Sequence, residues 1–171
     1  MSEKEDENKN EKEKNNYIYE KFIEEGKKLC SESNNIFKFC LNELLNINYI
    51  QGNLNISESI ILELDIIFSD VYSLPVMYFQ IYKDGIPFDF ETYLKEFPSV
   101  NQDLVKGAKI SKENHPFTGR VYYFMHLCQF NFMIKEIDNI KNILYFWLGL
   151  VLQIFNFDII KIILKINVLH F

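Results

Sequence analysis

Apolar and polar positions alternate most cleanly in residues 59–68, where Ile60, Leu62, Leu64, Ile66 and Phe68 share one parity. Side chains alternate across a strand, so these five predict a single core-facing surface. Glu63, Asp65 and Ser69 hold the other parity, and that face is expected to meet water or a partner. A second strand is predicted over residues 75–82 after a short connection around Tyr72, which implies an antiparallel hairpin. Pro75 suits the first residue of that strand, where its missing N–H does least harm, and Asp84-Gly85 reads as the next turn. Phe37, Phe39 and Leu41 alternate with Lys38, Cys40 and Asn42, another strand pattern, and Gln51-Gly52-Asn53 reads as a turn. Ile18, Phe22, Ile23 and Leu29 approximate helical spacing, interrupted by Gly26, and predict an amphipathic helix over residues 17–31 lying on a sheet. A short helix is predicted over residues 88–97, stopping before Pro98, and residues 132–152 are apolar enough for one or two more helices. Helix, antiparallel strands, then helices is an α+β succession.

Composition narrows the function classes. The chain has 171 residues, enough for one domain with a real core. A net charge of -6, a pI near 5.1 and no basic stripe argue against a nucleic-acid partner. Residues 1–16 mix charge and Asn without apolar periodicity, so a disordered charged leader is expected there. That leader has no apolar h-region, which is not the pattern of a secretory signal. Cys30, Cys40 and Cys128 lack metal-ligand spacing and cannot all pair, so a reducing, cytoplasmic setting is expected. No phosphate loop, metal cluster or cofactor motif is legible. The apolar run of residues 143–157 contains Gln153 and Asn156 and falls short of the roughly 20 residues a span needs. A buried core helix is expected instead of membrane insertion. Residues 158–171 form an apolar tail whose role stays open.

One stretch carries candidate chemistry. Residues 110–128 read ISKENHPFTGRVYYFMHLC, an aromatic strand pattern running into a single cysteine with His126 two residues ahead of it. A cysteine where a strand gives out can combine fixed position with an exposed sulfur. On spacing alone, a buried structural cysteine is the ordinary alternative. The stretch resembles the active-site segment of the autophagy E2-like conjugating enzymes, in which His-Pro is followed by an aromatic strand and then His-Pro-Cys. The counterparts are His115-Pro116, Val121-Tyr122-Tyr123-Phe124 and His126-Leu127-Cys128. Upstream, residues 68–79 (FSDVYSLPVMYF) followed by Asp84-Gly85 resemble the family's Val-Pro-Val-Leu-Tyr-Phe strand and its turn.

The resemblance is to the autophagy-related protein 10 family, and it implies an E2-like (UBC-like) α+β fold over residues 17–157. It implies that Cys128 takes a ubiquitin-like modifier as a thioester from an E1-like activating enzyme and passes it to a lysine of an acceptor protein. A relative that conjugates phosphatidylethanolamine, and a non-catalytic domain of the same fold, are the alternatives. His126 would lie on the sulfur's face of a continuing strand, placed either to tune the thiol and shuttle a proton or to orient the loop. His115 is expected to structure a turn. Phe117 stands where ubiquitin E2 enzymes carry the oxyanion-assisting Asn, leaving Asn114 as the nearest amide. Tyr72, Tyr78, Tyr122 and Tyr123 could line the site or simply pack, and Trp147 resembles a family tryptophan on the C-terminal helix. Leu127 replaces the family proline, a change expected to loosen the loop without removing a reacting group.

Overall fold

The β3 strand (Ile60–Ser69) fulfils the alternation: Ile60, Leu62, Leu64, Ile66 and Phe68 are all buried. It pairs in register with β4 (Leu74–Lys83) from Ile60↔Lys83 to Ser69↔Leu74, closing the predicted hairpin around Tyr72. The molecule, a computed structural model, is described over residues 2–98, 102–127 and 142–157, with side chains from residue 13 onward. The remaining elements of the sheet are β1 (Phe37–Asn42), β2 (Ile47–Asn55), β5 (Ile86–Phe88), β6 (Lys109–Asn114) and β7 (Val121–His126). Strand order is β1-β2-β3-β4-β7-β6, with β5 beside β4, and every pairing is antiparallel.

Helices α1 (Ser2–Glu32) and α4 (Ile143–Gln153) cover one face of the sheet, while α2 (Phe90–Glu96) and α3 (Gln102–Gly107) connect β5 to β6. The α+β class with helices flanking an antiparallel sheet is therefore as expected. Trp147, Leu148, Val151 and Leu152 of α4 are fully buried in the core that also holds Phe79 and Phe155, so the apolar run 143–157 comprises a core helix to Gln153 followed by a turn. Among the described residues no helix is long and apolar enough to cross a membrane.

Three local readings are corrected. The sequence reading places a disordered leader in residues 1–16, but α1 already begins at Ser2. Glu and Lys are strong helix formers even where they bury nothing, so helix can form without apolar periodicity. Gly26 does not interrupt this helix: a Cβ there would lie 2.9 Å from Ile50 and 3.2 Å from Phe39, so the glycine lets α1 press onto the sheet. Gln51-Gly52-Asn53 is not a turn but the middle of β2, with Gly52 paired to both Phe37 and Leu64. A Cβ on Gly52 would meet the Phe37 ring at 2.7 Å, so the residue serves close approach. The turn lies instead at Asn42–Asn46, where the Asn42 side chain accepts from the Leu45 N–H and Asn46 takes a φ of 51°. Asp84 and Gly85 (φ 53° and 77°) form the other predicted turn, with positive φ at both residues as tight hairpins favour. Residues 158–171, the expected apolar tail, lie outside the described residues.

Candidate functional site

β7 is held on both sides, by β4 through Met77↔Met125 and by β6 from Asn114↔Val121 to Lys109↔His126. The strand ends at His126, and Leu127 beyond it is 2 % exposed and packed in the core. The chain thus leaves the sheet at a fixed point. Cys128, the expected nucleophile, is the next residue and lies outside the described residues. Leu127 does more than stand in for a proline, because its side chain fills the core that the sheet and α4 share.

Alternation places Tyr122, Phe124 and His126 on the sheet face opposite α1 and α4, together with Tyr78 and Asp65. His126 is buried and stacks on Tyr72 of the β3–β4 turn, ring centroids 4.3 Å apart and 16° from parallel. Among the described residues neither of its ring nitrogens has a hydrogen-bond partner. Burial pushes His126 below the usual histidine value, and the charge of Lys109, its cross-strand partner, acts in the same direction. The imidazole is therefore neutral at pH 7. A neutral ring can accept a proton but offers no positive charge to a thiolate.

The β6–β7 connection is closed by two backbone bonds: the His115 N–H donates to Arg120 O (2.8 Å) and the Gly119 N–H donates to His115 O (2.9 Å). Gly119 sits at φ 65°, the left-handed region that glycine enters without strain. His115 turns inward, only 1 % exposed, and its Nε2 lies 3.0 Å from Asp65 Oδ2. That contact is close but not aligned as a hydrogen bond. Its Nδ1 accepts from the Phe117 N–H at 3.2 Å, which leaves Nε2 as the nitrogen nearest the carboxylate. The turn-structuring role expected of His115 fits this geometry. Asp65, expected to face water or a partner, is 7 % exposed beneath the His115 loop. Nothing within β3 could signal this, because its partner stands 50 residues on.

The hairpin register separates other candidates. Asn114 is exposed at the turn end of the hairpin, and His126 is at the opposite end. Five residues of strand at about 3.3 Å each put roughly 17 Å between those ends. Asn114 and the His115-Pro116-Phe117 triplet thus stand at the end of the hairpin opposite His126. Lys109 occupies the nearer end, a position that becomes visible only once β6 is in register. Tyr72, Tyr78 and Tyr122 lie on the His126 face. Tyr123 faces the other way, its hydroxyl donating to Asp89 Oδ1 (2.6 Å) and accepting from the Phe90 N–H (3.1 Å) at the start of α2. Trp147 is wholly internal. Cys30 and Cys40 are free and half-buried, and burial raises the Cys30 thiol to about 11, which makes it a poor nucleophile. Among the described residues no cluster of His, Cys, Asp and Glu could hold a metal ion.

No curated protein matches the chain. The solution structure of KmAtg10 is similar at a TM-score of 0.46 and 16 % identity, covering 81 % of this chain and 93 % of that one. The family model described as autophagocytosis associated protein, active-site domain, matches residues 1–161. With nearly the whole chain matched, Cys128 included, this protein belongs to the autophagocytosis-associated active-site family, the E2-like conjugating enzymes of autophagy.

Proposed function

We propose that the chain carries a ubiquitin-like modifier as a thioester on Cys128 and transfers it to a lysine of an acceptor protein, in the manner of autophagy-related protein 10. The observation that carries this reading is the active-site family match across residues 1–161. The buried anchor of His126 and Leu127 directly ahead of the cysteine supports it. In the first step the Cys128 thiolate attacks the carbonyl carbon of the modifier's C-terminal glycine. A new S–C bond forms, and the thiolate of the E1-like enzyme leaves. In the second step the neutral amine of the acceptor lysine attacks the same carbon. The N–C bond forms, the Cys128 S–C bond breaks, and the amine gives up a proton. A thiolate is a good leaving group, so neither step requires a metal or cofactor.

His126 suits the role of proton acceptor at the second step better than that of thiolate stabiliser, because its ring is neutral at pH 7. The protein-lysine branch is favoured over the lipid-conjugating one by the compact connections between strands. β6 passes to β7 through residues 115–120 alone, with no long acidic insertion. The test is to charge the protein with a matching E1-like enzyme, modifier and ATP. The loaded protein is then offered an acceptor protein or vesicles containing phosphatidylethanolamine. The expected result is a thiol-sensitive adduct that discharges onto protein lysine. Discharge onto lipid would assign the chain to the relative, and failure to charge would leave a binding domain.

A further inference from the structure

The buried carboxylate of Asp65 has no part in the transfer steps above, yet it sits on the same sheet face as His126. Its register neighbours across the sheet are Tyr78 on β4 and, beyond it, Phe124 on β7. From its contact with Asp65, the His115 ring opens a continuous run of ring contacts. His115 meets Tyr78 at 4.9 Å, Tyr78 meets Phe124 at 5.0 Å, Phe124 meets His126 at 5.8 Å, and His126 stacks on Tyr72 at 4.3 Å. His115 also touches Tyr122 at 4.7 Å and Phe117 at 5.1 Å, so its loop is folded down onto this row. Packed rings move together, since a close-packed layer has little room for one member to shift alone.

A buried carboxylate beside an imidazole is an uneconomical way to gain stability, because desolvation offsets the attraction and apolar replacements often serve as well. What the pair does supply is direction: one carboxylate fixes where the Nε2 side of His115 points. We propose that Asp65 is a positioning residue for the transfer reaction. It holds His115 inward over the sheet, and the ring row Tyr78–Phe124–His126 carries that placement to the end of β7. This proposal rests on the thioester reading for its functional consequence, while its structural part stands independently.

The test uses the full chain with Asp65→Asn and Asp65→Leu, read by His126 ring resonances, thermal melting and single-turnover discharge of the loaded protein. Asparagine keeps a polar group of the same shape beside His115 Nε2, 3.0 Å away in the wild type, so it should leave the His126 resonances in place and discharge within about threefold of wild type. Leucine should shift the His126 resonances and slow discharge at least tenfold with little change in melting temperature. Unmoved His126 resonances in the leucine variant would overturn the proposal, as would an asparagine variant as slow as the leucine one. A leucine variant slowed only in proportion to lost folded protein would also overturn it. If the wild-type protein never charges, the thioester reading fails by itself. The resonances then decide alone whether Asp65 positions His126.

Discussion

Removing the Glu25 side chain tests how the sheet-covering helices are joined. Helix α4 begins without a side-chain cap of its own, since Asn142 contributes none. Glu25 of α1 supplies it from outside, accepting from the Ile143 N–H at 3.2 Å and the Leu144 N–H at 2.7 Å. Glu25→Ala would orphan two backbone donors at a buried helix start. Each such loss costs on the order of 1–3 kcal/mol, and loss of a cap is typically about 1 kcal/mol. Relief of the carboxylate's own burial offsets part of this, so a net loss of about 1–3 kcal/mol is expected near pH 7. Burial, the largest influence, raises Glu25 above its ordinary 4.5, although the two N–H groups pull the other way. A carboxyl raised in the folded state contributes stability that is fully present below its unfolded value. That stability is lost as pH climbs through the folded value. The gap between wild type and Glu25→Ala should therefore widen as pH falls from 7 towards 4.5. Urea unfolding of both proteins at the two pH values measures it. A loss under about 0.5 kcal/mol, the size of an ordinary surface change, would refute the capping argument. A gap that narrows towards acid would refute the assignment of burial as the dominant influence.

Three further outcomes follow from packing. Gly52→Ala should destabilise by about 1–3 kcal/mol, the cost of overpacking, because its Cβ would meet Phe37 at 2.7 Å and Leu64 at 3.0 Å; chemical denaturation reads this directly. Leu64→Ala should cost about 2–5 kcal/mol as a core truncation, whereas Glu63→Ala on the opposite face should cost under about 0.5 kcal/mol, and equal losses would contradict the strand's sidedness. Leu127→Pro would restore the family residue but surrender a side chain that is 2 % exposed in the core. It should lower stability by about 2 kcal/mol or more, with slower transfer, and a variant that melts like wild type would show that the core tolerates the loss.

How much of this was legible in the sequence depended on whether the relevant partner was local. The β3–β4 hairpin was readable because alternation, Pro75 and the turn residues all lie within one short stretch. Gly52 gives a turn signal because a glycine between polar residues carries the same local pattern in a turn as in a strand packed under a phenylalanine. Only the pairing with Phe37 and Leu64 separates the two cases. Asp65 looked solvent-facing because its parity was polar, and the loop that covers it comes from β6–β7. Leu127 was visible as a departure from a motif, but its burial depends on α4, far along the chain. His126 was found through its spacing to Cys128, while its stacking on Tyr72 and its cross-strand Lys109 required the register.

The most direct test of the central claim is a non-reducing gel of the protein incubated with its E1-like enzyme, modifier and ATP, run for wild type, Cys128→Ala, Cys128→Ser, Cys30→Ala and Cys40→Ala. Wild type and the Cys30 and Cys40 variants should give a thiol-sensitive adduct, Cys128→Ser a thiol-resistant ester, and Cys128→Ala none. An adduct that persists in Cys128→Ala, or one abolished by a folded Cys30→Ala protein, would contradict that claim.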